Sequence, residues 1–171
     1  HKFGDGQRKV YGILFDGAWL WEEYINSLIG DMFYHPMNKS GTGAERLFGG
    51  GTGSIYPDFI GKNPADRVIA DAKYKPIDNI GNKDYLQVLA YMFRFDSKRG
   101  YYIYPNSIES GSKCLMMNEG STYEGNVSAR TDICITKLGL RVPSESRSYK
   151  EFKEQIEVSE ITLRKSIEET I

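Results

Sequence analysis

Tyr56-Pro57-Asp58-Phe59, followed downstream by Asp71-Ala72-Lys73, is the stretch on which the reading of this chain turns. In an extended strand residues i and i+2 project from one face, so Asp71 and Lys73 point together while Ala70, Ala72 and Tyr74 line the packing face. An acid and a lysine side by side at the end of a buried strand are costly unless they pair or bind something. Asp58 ends the neighbouring strand and reaches the same spot. Two carboxylates at one point repel each other and are comfortable only with a cation between them. Hard oxygen ligands select Mg²⁺, with Mn²⁺ as its substitute, over zinc. By pattern alone, the same residues also read as an acidic hairpin whose lysine closes a salt bridge.

The hairpin is expected from strands at Ile55–Ile60 and Val68–Lys75, joined by the breaker-rich turn at 61–67. Ahead of it, the spacing predicts a helix over Ala18–Ile29, with Asp16 as N-cap, Gly30 as its stop, and Leu20, Trp21, Tyr24, Ile25, Leu28 and Ile29 as its buried stripe. Glu22 sits on the edge of that stripe and faces the site, whereas Glu23 turns toward solvent. After the hairpin a second helix is expected over Lys83–Phe95, with Leu86, Leu89, Ala90 and Phe93 as its core stripe. Gln87 and Tyr91 share a face at i and i+4 on the border of that stripe, a pair suited to holding a phosphate or a base. Strands follow at Gly100–Tyr104 (closed by Pro105), Lys113–Met117 and Ala129–Thr136. An amphipathic helix over Ser148–Ile167 then buries Tyr149, Phe152, Ile156, Leu163 and Ile167.

The chain has 171 residues, 40% hydrophobic and 26% charged, which fits one folded domain spanning 1–171. Its 22 Lys and Arg against 23 Asp and Glu give a net charge of −1, which removes the overall-charge argument for a strongly basic nucleic-acid binder and leaves room for a local basic groove. No apolar run approaches the ~18–20 residues that span a bilayer, and no membrane role is expected. Cys114 and Cys134, with only His1 and His35 beside them, cannot build a structural zinc site. As free thiols they suit a reducing, cytoplasmic setting, where the glycosylation patterns at Asn38 and Asn126 carry no meaning. The start at His1 without an initiator Met suggests a fragment, and residues 1–12 read as an entry segment.

Several tempting residues have plain readings. Gly49-Gly50-Gly51-Thr52-Gly53 lacks the Gly-Lys-[Ser/Thr] ending of a phosphate loop and reads as a turn. His35 reads as a loop histidine, and Tyr101, Tyr102 and Tyr104 as sheet packing. Arg94, Lys98 and Arg99 suit either DNA phosphates or the end of the second helix. Lys75 suits either a basic floor under a substrate or a solvated strand end.

Pro57-Asp58, Asp71-Ala72-Lys73, the helical Glu22 and the downstream Gln87-xxx-Tyr91 resemble the PD-(D/E)xK nuclease superfamily. Five blocks in order, Leu14-Phe15-Asp16 with Trp21 to Ile25, Tyr56 to Phe59, Ile69 to Lys75, Asp84 to Tyr91, and Tyr102 to Pro105, resemble McrC. McrC is the nuclease subunit of McrBC-type restriction systems, related to those of LlaJI type. The resemblance covers about residues 13–105, with residues 113–171 as a C-terminal continuation.

The resemblance implies an α/β fold: a restriction-endonuclease-like core, with a mixed central β-sheet flanked by helices. It implies a Mg²⁺-dependent endonuclease acting on double-stranded DNA and recruited by an McrB-like AAA+ GTPase. Asp58 and Asp71 would ligate the metal together with the backbone carbonyl of Ala72. Lys73 would orient or help deprotonate the attacking water, Glu22 would act through the metal's water shell, and Gln87 and Tyr91 would shape the site, with Lys75 near the substrate. The chain departs from the pattern in lacking the N-terminal partner-binding region and in the glycine-rich 41–53 segment. The alternatives are another nuclease of the superfamily (repair or RNA-cutting) and a non-catalytic DNA-binding or assembly module; sequence leaves the oligomeric state open.

Overall fold

A computed structural model of the chain describes residues 15–36, 42–108, 111–120 and 127–169. The entry segment 1–12, Leu14, Gly41 and the glycosylation-pattern asparagines Asn38 and Asn126 lie outside the described residues.

Helix α1 runs Gly17–Ile29, and the Asp16 carboxylate accepts the Trp19 N–H at 3.1 Å, as expected of the cap. Trp21, Ile25 and Ile29 are buried, while Leu20 stands largely exposed, outside the stripe drawn for it. The glycine- and asparagine-rich text after α1 makes only short pieces: strand β1 (Phe33–Tyr34), strand β2 (Glu45–Arg46) and a 3-10 turn at Gly49–Gly51. Gly50, Gly51 and Gly53 have φ of 75°, 82° and 74°, the left-handed region that glycine enters without strain. The segment is therefore a turn. It leads into strand β3 (Ser54–Ile55), which pairs with β2, and no helix follows to form a phosphate loop.

The expected 55–60 strand is split. Tyr56-Pro57-Asp58 breaks it, and only β4 (Phe59–Gly61) pairs antiparallel with β5 (Val68–Ala72). Proline has no N–H to give to a ladder, so the chain leaves the sheet at Pro57. Strand β5 also ends three residues early: Lys75 N–H folds back onto the Lys73 carbonyl at 2.9 Å, just before Pro76. Helix α2 (Asn82–Arg94) crosses over to β6 (Arg99–Asn106), which lies parallel to β5. Strand β6 runs through Pro105, which sits opposite Leu140 at the margin of the sheet, so Pro105 does not close it. Strands β7 (Ser112–Asn118) and β8 (Ala129–Arg141) form a hairpin, with β8 parallel to β6 and longer than the sequence suggests. Helix α3 (Tyr149–Glu168) closes the fold, capped by Ser148.

The result is the expected mixed six-stranded sheet, in the order β1-β4-β5-β6-β8-β7, with flanking helices and a separate β2–β3 ribbon. It is compatible with a restriction-endonuclease-like core. One face packs Val68, Ala70, Tyr101, Ile103, Leu138 and Leu140 against α1 and α3, where Leu163 and Ile167 are buried and Tyr149 is exposed. The other face packs Ile69, Tyr102 and Ile135 against α2. The three tyrosines of β6 are buried and pack the sheet as read.

Helix α2 departs most from its expected orientation. Asp84, Val88, Tyr91 and Met92 are its buried residues, whereas Leu86 is 70% and Phe93 90% exposed. At ~100° per residue, the buried side lies about half a turn from the stripe through Leu86, Leu89, Ala90 and Phe93. Gly100 permits this close packing: a Cβ there would come within 2.8 Å of Met92 Sδ and 3.0 Å of Val88 Cγ1.

Candidate functional site

The site forms where β4 and β5 part. Phe59 pairs with Ala70, so two residues on, the edge of β5 at Ala72 passes Pro57 and Asp58 without a ladder to fill. The Asp58 carboxylate takes the ladder's place and accepts the Ala72 N–H at 2.9 Å. The carbonyl of an extended residue leaves the same edge as its N–H. Asp71, two residues beyond Ile69, faces α2 and is 2% exposed. Lys73 lies on the same face, its ammonium 2.5 Å from Asp71 Oδ2, as the i, i+2 argument requires.

Helix α2 supplies the other wall. Lys73 Nζ donates to Gln87 Oε1 at 3.4 Å, Gln87 Nε2 donates to the Tyr91 hydroxyl at 2.6 Å, and that hydroxyl donates to the Tyr56 carbonyl at 3.3 Å. The inverted orientation of α2 follows from these bonds, because its polar side closes the site. Asp84, a residue sequence reasoning missed, completes this wall. Its carboxylate accepts the Gly81 N–H at 3.0 Å, closing the start of α2, and pairs with Lys75 at 2.7 Å and Lys73 at 3.7 Å. The signal for it was present: an acid at the third helical position after a glycine start is a capping pattern. Lys75 is thus held against Asp84 beyond the end of β5.

From the opposite face, Glu22 approaches closely enough to raise the Asp58 carboxyl. His35, just past β1, enters as well, although its sequence marks it only as a loop histidine. Its ring stacks on Phe59 with centroids 4.9 Å apart, Nδ1 donates to the Asp58 carbonyl at 2.9 Å, and Nε2 lies 3.7 Å from Glu22 and 3.5 Å from Glu23. Glu23, expected on the solvated face, therefore reaches the margin of the site.

The electrostatics are those of two acids in one place. Burial pushes Asp58 well above the carboxylate range, and the charges of Asp71 and Glu22 add to it. Burial raises Asp71 too, against the pull of Lys73 and of a hydrogen bond shared with Asp58. Each carboxylate thus disfavours the charge of the other, and Asp58 is the more strongly raised of the two. Burial alone would lower Lys73, but Asp71, Asp58 and Asp84 outweigh it and keep the ammonium above its ordinary value. Burial raises Tyr91, and its hydroxyl stays neutral.

Asp71 Oδ2 is buried with the Lys73 ammonium against it, and the hydroxyl of Tyr102, the residue of β6 that faces Asp71, is buried without a hydrogen-bond partner among the described residues. Among the described residues no three His, Cys, Asp or Glu side chains form a metal cage. Two buried carboxylates whose charges oppose each other nevertheless fit Mg²⁺, which keeps several waters and takes one or two carboxylates plus substrate phosphates. A cavity of about 870 Å³ between α1, α3 and the end of β6 shares only Lys75 with the cluster. Its Trp21, Tyr24, Tyr104 and Phe152 walls are apolar, so it is not the cation's place.

Arg94 and Arg99 lie away from the acids. Arg94 Nε donates to the Arg46 carbonyl at 2.6 Å, and Arg99, at the far end of β6, pairs with Asp66 at 3.1 Å. Both cysteines are free.

Residues 1–105, which contain every member of the cluster, match the family model of the McrBC 5-methylcytosine restriction system component. The chain belongs to that family. Among curated proteins it has no match. In this McrBC-family chain, as in the sequence resemblance to McrC, the described part of the matched region holds β4, β5 and α2, and no described helix is long and apolar enough to cross a membrane.

Proposed function

We propose that this chain is the Mg²⁺-dependent DNA endonuclease part of an McrC-like restriction subunit, hydrolysing phosphodiester bonds in double-stranded DNA when an McrB-like AAA+ GTPase delivers it there. The observation that carries this reading is the convergence of two buried carboxylates, Asp58 and Asp71, with Lys73 and Gln87 where β4 and β5 part. Family membership as a restriction-system component supports it. So does the net charge of −1, which suits a nuclease that takes its DNA affinity from a partner.

Asp58, Asp71 and the Ala72 carbonyl would hold the cation. Bound there, Mg²⁺ or Mn²⁺ supplies a more acidic water and neutralises charge developing on the phosphate. Lys73, kept protonated by its acids, offers N–H donors to the attacking water and to a phosphate oxygen. Gln87 and Tyr91 fix the direction of that ammonium. Glu22 orients water at the open side, and the Lys75–Asp84 pair holds the turn that carries Lys73.

The test is cleavage of supercoiled plasmid and linear duplex by the full chain with Mg²⁺, Mn²⁺ or chelator, alone and with the GTPase partner and GTP. Divalent-dependent nicking or double-strand cutting that chelator abolishes is expected. No cleavage in any arm, together with no Mn²⁺ heat by calorimetry, would overturn the nuclease and leave an assembly module. Cutting confined to single strands or RNA would move the chain to another branch of the superfamily.

A further inference from the structure

We infer that His35 is a positioning residue that joins Glu22 to the main chain of Asp58. The inference rests on the nuclease reading for its consequence in catalysis, but its geometry stands apart from it. The imidazole is held on three sides. Its flat face lies on the Phe59 ring at an interplanar angle of 21°, and Phe59 is fully buried, so the ring plane is fixed. The Asp58 carbonyl can only accept, which places the Nδ1 hydrogen on the 2.9 Å contact. Nε2 is then the ring atom turned toward Glu22 and Glu23, at 3.7 and 3.5 Å, longer than an ordinary hydrogen bond, so the ring bounds the space open to the Glu22 carboxylate.

Glu23 and the helix that carries both acids are themselves restrained. The Trp19 indole N–H donates to Glu23 Oε1 at 3.1 Å, and α1 is pinned by Trp21 Nε1 to the Ile103 carbonyl at 3.0 Å. With the helix immobile, the direction of the Glu22 carboxylate depends on its side-chain torsions and on what it meets. His35 is what it meets on the β1 side. The same ring sets the peptide that presents Asp58, so one side chain spaces two acids on opposite faces of the sheet. Groups of this kind fix the orientation of metal-site acids without ligating, and their loss is felt as a factor of about 10–100 in metal affinity or activity.

Two replacements separate the arms. In His35→Asn the amide nitrogen falls where Nδ1 was and keeps the donor to Asp58. In His35→Gln it falls near Nε2 and keeps the contact to the glutamates. In metal-free protein, NMR should show the Glu22 carboxyl carbon displaced in His35→Asn and near its original shift in His35→Gln. The Phe59 amide, whose peptide carries the Asp58 carbonyl, should respond in the reverse order. In Mn²⁺-dependent cleavage, His35→Asn and His35→Ala should lower turnover about tenfold at saturating metal, with His35→Gln recovering most of it. A Glu22 signal unmoved in His35→Asn and His35→Ala would overturn the inference, as would equal turnover in all three variants. Absence of cleavage by the unaltered chain would sink the nuclease reading alone, since the NMR arms decide the linkage without metal or DNA.

Discussion

Asp71→Ala is expected to lower divalent-dependent DNA cleavage by about 10³-fold, some 4 kcal/mol of transition-state stabilisation, and to leave the fold intact. Asp71 is the member of the pair that faces α2, and its Oδ2 meets the Lys73 ammonium. Removing the carboxylate takes away one of the two acids available to a hard cation. It also frees Lys73 to swing toward Asp84, which already lies 3.7 Å away, so the ammonium is not stranded. The fold is spared because burial makes the Asp71 charge a cost in the metal-free protein. Calorimetry should show Mn²⁺ binding by the parent chain and none by the variant, with melting temperatures within a few degrees of each other. A variant that still binds Mn²⁺ and cuts at the parent rate would remove Asp71 from the site.

Asp58→Asn should act in opposite directions on stability and on cleavage. The Asp58 carboxyl is held well above its ordinary value, first by burial and then by Asp71 and Glu22. A folded value above the unfolded one means that the folded state binds the proton more tightly. The stability this provides is complete below about pH 4 and is lost as pH rises through the folded value, above which the charge weighs on the fold. Asparagine keeps an acceptor for the Ala72 N–H and carries no charge. In chelator at pH 7 the variant should melt about 2–6 °C higher than the parent, equivalent to about 1–2 kcal/mol, and its melting temperature should change less between pH 4 and 8. Added Mn²⁺ should stabilise the parent and not the variant, and cleavage should fall to background. A variant that melts at or below the parent in chelator, with the parent's pH slope, would show that the two acids do not oppose each other.

The features written into local chemistry were legible in the sequence. Asp16 and Ser148 cap their helices because a short polar side chain before an apolar run accepts the first free N–H groups. Asp71 and Lys73 meet because the pleat repeats every two residues. What failed had a tertiary cause. The strand expected over 55–60 breaks because Pro57 has no N–H to give a ladder and because Asp58 bonds sideways to Ala72. The stripe chosen for α2 was its most apolar one. Yet the bonds from Lys75 and Lys73 to Asp84 and Gln87 fix the opposite side inward, and pattern within one helix carries no record of lysines on a distant strand. Asp84 could have been found from its capping position. His35 could not, since a lone histidine before a proline gives no sign of what stacks beneath it.

The inverted packing of α2 also bears on handling the protein in solution. A surface redesign guided by hydrophobic pattern would polarise the side that holds Asp84 and Tyr91 and spoil the molecule. Leu86→Glu with Phe93→Lys adds no net charge and touches neither wall of the site. It should raise the protein concentration tolerated before polyethylene-glycol precipitation, at an unchanged melting temperature, because both side chains already stand mostly in water. Leu86 and Phe93, two of the most hydrophobic side chains of this helix, are thus the ones most open to replacement.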